Sequence, residues 1–414
     1  MSEILLVIFI IVNLVTFFIY YKKDYGIFQY PCLFSLVSLT FVVPQLYQIW
    51  SLSENPDTHM SLALLVMISC NIGFTFGFKF ANNFPDKETI QTTFREDRIK
   101  YIILLFASIG LVATFMNRGI YKGGFVSGTF VIIQFFANYL DYLFILLLIC
   151  IRRKLKVSKL VYLLLGVIIL VQIDKFLISA RRGEAIQFFL ALSFFFFYNR
   201  EKLYHRFKWI IPAFFLVGVL LNSQIGEYRE NAYSGKVSAS ENIQDLEFSF
   251  SNPRTSLNGL EINNAIIGIN SCYENGAYDY GGGTWNGIVN AFVPKVLVGE
   301  AFKASLVIPS DNRNVVRSLT KSGSTMTGYF DSFTSFGVFC WIKFAIIGFI
   351  LGLLWLRSNR SVIALTLYVA MMSPSLHVIT HSTDRFFSNM TFYFVFIYIF
   401  IYACVYKTET LNNE

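Results

Sequence analysis

Residues 4–21 read ILLVIFIIVNLVTFFIYY, and Lys22 and Lys23 follow at once. At about 1.5 Å per residue, a helix of this length crosses most of a hydrocarbon core that is ~30 Å thick. The run has no basic residues before it, so we expect an uncleaved anchor and not a removable signal peptide. The stretch predicts a first membrane helix whose amino end lies on the outer side of the membrane.

Apolar runs of similar length recur along the chain. Its 414 residues are 55% hydrophobic, 18% aromatic and only 14% charged, and the mean hydropathy is +0.55. Such a composition excludes an ordinary soluble protein and predicts an all-α polytopic membrane protein with about eleven transmembrane helices. We expect these helices near residues 4–21, 28–50, 60–78, 100–116, 126–150, 159–179, 184–198, 208–222, 336–356, 361–376 and 386–406.

The orientation of the chain follows from its basic residues. Alternate loops between the predicted spans, with the carboxyl-terminal tail, carry nineteen Lys and Arg residues, whereas the intervening short loops carry five. Because basic loops stay on the cytoplasmic side, the amino terminus is predicted outside and the carboxyl terminus inside. The net charge of +8 comes mostly from these inner loops. It therefore does not indicate a nucleic-acid partner.

Three parts follow from this pattern: spans 1–8 in residues 1–222, one large outer loop in 223–335, and spans 9–11 with a short tail in 336–414. Glycine-rich turn sequence such as YGGGTWNG (280–287) predicts a partly helical outer domain. Residues 285–309 could form an interfacial or re-entrant roof over the membrane part, or an ordinary helical hairpin. Both interpretations stay open.

Cysteine usage gives no sign of a metal or disulfide framework. Five of the six cysteines fall inside predicted spans, where a thiol behaves as a small apolar group, and only Cys272 falls in the outer loop. The spacing of His377 and His381 could suit zinc, but the Glu of a metalloprotease pattern is missing. We therefore expect no metal and no cofactor.

Charged residues cluster at the predicted outer ends of spans. ISARRGEA (178–185) places Arg181 and Arg182 where the topology disfavours arginine. A charge inside lipid costs at least ~3 kcal/mol, so these side chains should face protein, water or an anion. The guanidinium fork matches phosphate oxygens, so Arg181, Arg182, Arg254 and Arg385 together suit a lipid diphosphate.

A second group lies in PSLHVITHSTDRF (374–386), after the tenth span. His377, His381, Asp384 and Arg385 would share one side if the helix continued through them. Histidines at an interface also commonly cap a helix, so a structural role stays open beside a functional one.

The arrangement resembles the O-antigen polymerase (Wzy-type) family of oligosaccharide repeat-unit polymerases. The resemblance rests on about eleven spans, on ISARRGEAI (178–186), on one long outer loop, and on STMTGYFDSFTSFGVFCWIKFAIIGFILGLLW (324–355). It implies an enzyme in the bacterial inner membrane that transfers a growing glycan from undecaprenyl diphosphate to the next lipid-linked repeat unit, without a metal. It also implies that Arg181 and Arg182 bind diphosphate, that TGYFDSFTSFG (327–337) lines the site, and that a chain-length regulator protein is a partner.

Glycosyl transfer from a diphosphate needs fixed positive charge at the leaving group and a base near the acceptor hydroxyl. We rank His381, Asp331 and Glu227 as the candidate bases, in that order. Histidine has the pKa nearest to working pH, whereas a carboxylate is the commoner base for a sugar hydroxyl.

Three other functions make different demands on these residues. An O-antigen ligase would use the same lipid-diphosphate chemistry with a different acceptor. A lipid-linked oligosaccharide flippase or other transporter should show internal repeats and charges near the middle of the membrane, whereas here the charges cluster beside one large loop. A membrane acyltransferase would need a His-x4-Asp pair, and only two residues separate His381 from Asp384.

Overall fold

The computed structural model describes residues 1–53, 55–84, 90–117, 133, 136–155, 159–177, 182–198, 200–213, 260–293, 295–308, 326–395 and 402–409. These residues are mostly helical. The α-helices are α1 Ser2–Tyr21, α2 Tyr30–Val37, α3 Val43–Leu52, α4 Pro56–Phe80, α5 Glu96–Asn117, α6 Tyr139–Arg152, α7 Lys159–Leu177, α8 Arg182–Phe197, α9 Glu201–Phe207, α10 Glu261–Asn275, α11 Gly282–Phe292, α12 Lys295–Val298, α13 Glu300–Leu306, α14 Gly328–Phe336, α15 Trp341–Arg357, α16 Val362–His377 and α17 Asp384–Val395.

Several helices are long and apolar enough to cross a membrane. Within the described ranges there are four: Ser2–Tyr21, Tyr30–Leu52, Pro56–Asn83 and Glu96–Met116. Helices α14 and α15, bent by 111° at a short break, would make a fifth if they form one broken span. The prediction of a helical chain with several candidate membrane spans is confirmed, and the number eleven stays a prediction. Shorter apolar helices coincide with three more predicted spans, at Lys159–Ile173, Ile186–Phe197 and Val362–His377.

The second candidate span is one helix with an irregular middle. Residues Ser38–Val42 form a π-helical turn between α2 and α3, and Pro44 is the second residue of α3. Proline has no N–H to give to the carbonyl four residues earlier, and its ring crowds that carbonyl, so the helix widens locally. Thr40 supports the turn by donating its hydroxyl to the Leu36 carbonyl at 2.8 Å.

Helices α4 and α15 run parallel and touch through glycine. A Cβ added at Gly77 would lie 2.0 Å from the Ala345 carbonyl oxygen, and one added at Gly348 would lie 2.2 Å from that of Phe74. Both helices carry the Gly-x-x-x-Gly spacing, which lets helix backbones approach closely in membranes. Gly73 and Gly352 complete the two motifs.

Helix α15 begins beside the interior of α4, because the backbone of Trp341 lies against Gly73. The break between α14 and α15 therefore lies within the length of α4. Gly337 forms this break with φ +54°, a conformation that favours glycine. Irregular backbone at such a depth is tolerated where it is buried in protein, and α14 is buried from Gly328 to Ser335.

A buried polar chain connects α1, α4 and α14. Asn71 donates to Asn13 Oδ1 at 3.0 Å, and the Tyr329 hydroxyl donates to Asn71 Oδ1 at 3.0 Å. Asn13 in turn donates to the Phe9 carbonyl at 2.8 Å. Hydrogen bonds of this kind join helices where apolar side chains have lipid as an equally good environment.

The loops predicted as cytoplasmic contact one another. Arg152 Nε donates to the Tyr198 carbonyl at 3.1 Å, and Arg153 donates to the Ser358 carbonyl at 3.3 Å. At the other predicted side, Asn270 donates to the His59 carbonyl at 2.6 Å. The grouping agrees with the alternation of the loops, while the orientation of the termini stays a prediction.

The end of the chain differs from the predicted eleventh span, 386–406. Helix α17 covers its beginning, but residues Val405–Glu409 form strand β2, which pairs antiparallel with strand β1, Ile90–Phe94. Both strands contain β-branched and aromatic residues, which suit a pleated ribbon. In the described part of the chain, this two-stranded ribbon is the departure from an all-α fold.

Candidate functional site

Asp331 and Lys343 form a buried ion pair at the helix break. Asp331 lies in α14 and Lys343 in α15, and Lys343 Nζ is 3.1 Å from Asp331 Oδ2. Their side chains are 0% and 4% exposed. Burying two charges is unfavourable unless they are paired and further hydrogen bonds satisfy them. Further partners are therefore expected around this pair.

Two threonines supply those partners. Thr383 donates both its backbone N–H, at 3.1 Å, and its hydroxyl to Asp331 Oδ2. Lys343 Nζ donates to the Thr284 hydroxyl at 2.7 Å. Thr284 lies in α11, and Thr383 immediately precedes α17. We call these four residues the clasp, because they join α11, α14, α15 and the start of α17.

The geometry of Asp331 argues against the role of general base. A base must come within hydrogen-bond reach of the acceptor hydroxyl. Oδ2 already accepts from Lys343 and Thr383, and the whole side chain is buried. Asp331 is thus placed to hold other groups and not to receive a proton from substrate.

The helix that carries His377 does not continue to Arg385, so the condition under which His377, His381, Asp384 and Arg385 would share one helix side is not met. Helix α16 ends at His377, and α17 begins at Asp384. Pro374 lies inside α16, where it removes a backbone donor, and Thr383 gives its N–H and hydroxyl to Asp331. The intervening turn nevertheless keeps the two imidazole centroids 5.7 Å apart.

His381 is held by Thr380. The Thr380 hydroxyl lies 2.7 Å from His381 Nδ1 and donates to the His377 carbonyl at 3.3 Å. Whether Thr380 Oγ1 or His381 Nδ1 is the donor depends on the imidazole tautomer. Neutral imidazole keeps one nitrogen without a proton in either tautomer, so His381 retains the chemistry of a general base.

Arg385 lies next to this turn, in the first turn of α17. Its guanidinium is attracted electrostatically to Glu261, at the start of α10, and repels a protonated His377. The Arg385 side chain is exposed, whereas Thr383 two residues earlier is buried. An exposed guanidinium on a fixed helix end can contact a phosphate group.

The other predicted site residues are described less fully. Arg182 begins α8, and its backbone is helical. Arg181, Arg254 and Glu227 lie outside the described residues. Among the predicted site residues that are described with their side chains, Asp331 accepts hydrogen bonds from Thr383, which lies two residues along the chain from both His381 and Arg385.

The segment after α10, which is predicted to lie outside the membrane, packs onto α14. Asp279, after α10, donates its N–H to the Thr334 carbonyl at 2.8 Å and accepts from Ser335 Oγ at 3.0 Å. Helices α11 and α13 form a hairpin in which Trp285 Nε1 donates to the Leu306 carbonyl at 2.7 Å. The described part of 285–309 is therefore a helical hairpin, and its position relative to lipid stays a prediction.

Cys272, the cysteine that was predicted in the outer loop, is buried in α10. Its thiol donates to the Ala277 carbonyl at 3.0 Å. Burial raises the pKa of the thiol to about 12, with a smaller contribution from the carboxylate of Asp279. It therefore stays protonated at neutral pH and is no candidate nucleophile. In the parts of the chain that the structure describes, no group of three or more His, Cys, Asp or Glu residues is arranged to hold a metal ion.

Lys343, Thr284 and Thr383 were not predicted as site residues. Lys343 carried a usable signal, because it is a charged residue in the otherwise apolar run WIKFAIIGFILGLLW (341–355). Nothing local marks the two threonines, since their roles depend on contacts across the fold.

Comparison of the chain with models of protein families, with curated proteins and with solved structures gave no match.

Proposed function

We propose that this chain is a membrane glycosyltransferase that polymerises lipid-linked oligosaccharide repeat units. In this reaction the acceptor sugar hydroxyl attacks the anomeric carbon of the growing glycan. A glycosidic bond forms, the bond between the sugar and the diphosphate breaks, and the polyprenyl diphosphate leaves with the electron pair. The hydroxyl proton passes to a base. The proposal places this reaction at the outer face of a bacterial inner membrane.

One observation carries the proposal: a base and a cation lie on neighbouring turns at one end of the helical bundle. His381 is hydrogen-bonded through Nδ1 to Thr380, and the exposed Arg385 lies four residues further along the chain. Fixed positive charge stabilises a diphosphate leaving group, and a positioned imidazole accepts a proton near neutral pH. The proposal adds Arg181, Arg182 and Arg254 to the diphosphate site, as the family resemblance and the phosphate chemistry of arginine imply.

A transporter is the second candidate function, and a specific observation favours it. Transporters commonly bind substrate at discontinuous helices that carry charges inside the membrane. The break between α14 and α15 and the buried Asp331–Lys343 pair have this form. In the proposed polymerase, the same break supports the site and does not move.

We expect His381→Ala and Arg385→Ala each to abolish polymer in a strain that lacks the chromosomal gene. Without the base or the leaving-group cation, repeat units should still reach the surface but stay unpolymerised. Surface polysaccharide on a silver-stained gel would show the single-unit band without the ladder. Arg182→Ala tests the arginine that begins α8 and should have the same effect.

Lys23→Ala, an exposed lysine in a predicted inner loop, serves as the control and should keep the full ladder. Immunoblots of membranes confirm equal protein levels. A full ladder from both His381→Ala and Arg385→Ala would refute the proposed site. Loss of the single-unit band as well would favour a flippase or a ligase.

A further inference from the structure

The buried ion pair is joined to the turn of the proposed site through Thr383, which donates to Asp331. We infer that the clasp of Asp331, Lys343, Thr284 and Thr383 positions the turn of His381 and the start of α17 against the helix break. The inference rests on the proposed function for the statement that His381 and Arg385 act on substrate. The geometry of the clasp can be tested without an activity assay.

The turn that carries His381 is attached to α14 at both of its ends. At one end, Gly328 donates its N–H to the Val378 carbonyl at 2.8 Å. At the other end, Thr383 donates its N–H to Asp331 Oδ2 at 3.1 Å. His381 lies between these two attachments. Helix α14 therefore determines where the imidazole stands.

The close approach at the first attachment leaves no room for adjustment. A Cβ on Gly328 would lie 2.2 Å from the Val378 carbonyl oxygen. The second attachment is different, because a side-chain carboxylate makes it. It depends on the orientation of Asp331, which Lys343 holds from the opposite side of the break.

Lys343 extends the same link to the outer hairpin. Its ammonium bridges Asp331 and the hydroxyl of Thr284 in α11. Helix α11 packs on α17 so closely that a Cβ on Gly287 would lie 3.3 Å from Asp384 Cβ. The start of α17, with Arg385, is thus held from α14 by Thr383 and from α11 by direct packing.

A charged clasp suits this task because its hydrogen bonds are directional. Groups that act on a reacting bond must be held to about 0.5 Å, and apolar packing allows more sliding than a network in which each donor has one acceptor. Apolar residues of similar volume often replace a buried ion pair without loss of stability. The positioning role therefore gives a reason for the Asp331–Lys343 pair that stability alone does not give.

The test measures how α11 and α17 dock. Cysteines at Gly287 and Asp384 would have Cβ atoms near the separation found in disulfides, so Gly287→Cys/Asp384→Cys is a reporter that cross-links under mild oxidation. In the full chain, reconstituted in lipid nanodiscs, the linked peptide is quantified by mass spectrometry. Adding Thr383→Val or Thr284→Val removes one hydroxyl and keeps volume and charge. We expect each to slow cross-linking about fivefold, the effect of losing one hydrogen bond.

Thr366→Val is the control, because Thr366 is buried, as Thr383 is, but donates to the Val362 carbonyl of its own helix, at 2.7 Å, whereas Thr284 is half-buried. Cross-linking by the Thr383 and Thr284 variants at the rate of this control would overturn the inference.

The second test measures glycan transfer in chains without the two reporter cysteines. Thr383→Val should lower kcat about fivefold with little change in KM or in the unfolding midpoint. Slower cross-linking in a protein that makes no polymer would retain the clasp and refute the proposed function.

Discussion

Gly77→Ala will prevent this protein from reaching its folded state in useful yield, and Gly348→Ala will do the same. The added methyl group at Gly77 would stand 2.0 Å from the Ala345 carbonyl oxygen, and at Gly348 it would stand 2.2 Å from that of Phe74. Both obstacles are helix backbone, which cannot turn aside as a side chain can. The helices must separate along their contact, at a cost of about 3 kcal/mol or more.

Gly166 offers a matched control in α7, because nothing lies within 4 Å of a Cβ placed there. Gly166→Ala should leave the protein intact or raise its stability slightly, since alanine favours a helix by about 1 kcal/mol over glycine. Size-exclusion chromatography of fluorescent fusions in mild detergent, with unfolding midpoints, measures all three. Monodisperse Gly77→Ala protein with an unchanged midpoint would refute the packing of α4 on α15.

Lys343→Met will destabilise the protein by about 3–5 kcal/mol, and Asp331→Asn will suppress most of that loss. The single change leaves a carboxylate buried at 0% exposure without its ammonium partner. The double variant carries no charge at this point, and the carboxamide oxygen of Asn still accepts from Thr383. The large effect therefore comes from the unpaired charge and not from the missing lysine.

A double-mutant cycle on thermal unfolding in detergent measures this coupling. We expect Lys343→Met/Asp331→Asn to unfold close to the wild type, so that the two single effects are far from additive. Additive losses would show that the two charges do not interact in the folded protein. They would also remove the physical basis of the clasp.

Hydropathy and basic residues predicted the parts of the fold that depend on local sequence. The apolar run at 4–21 became helix Ser2–Tyr21, and the run at 28–50 became Tyr30–Leu52 despite Pro44. Hydropathy and basic residues do not show which helices pack against each other. The Gly-x-x-x-Gly spacings at Gly73 and Gly348 are visible in the sequence, but only the structure shows that they face each other.

The site was predictable to a smaller degree, for a related reason. His381 and Arg385 were found because the chain has only 4 histidines and because arginine has recognisable phosphate chemistry. The continuous helix on which their shared side depended does not form, because it would need the Thr383 N–H to bond within the helix. Thr383 instead donates to Asp331, which is 52 residues away in the chain. Contacts of that range set the role of Asp331 too, and they change it from a possible base to a positioning residue.

The polymerase and the transporter make different demands on the helix break. In a polymerase the clasp should stay closed while glycan is transferred, whereas a transporter must rearrange its broken helix to alternate access. Locking the break would therefore stop transport and leave transfer unchanged. An assay that contains no second compartment also separates the two functions, because it detects glycan transfer but not transport.

Transfer by the purified protein is the most direct measurement of the central claim. The chain would be placed in lipid nanodiscs with one polyprenyl-diphosphate-linked oligosaccharide, and the products would be resolved by mass. We predict a series of glycans that differ by one repeat unit, with one polyprenyl diphosphate released for each bond formed, and no such series from His381→Ala. Unchanged substrate, or hydrolysis to single repeat units alone, would contradict the claim that this protein joins them.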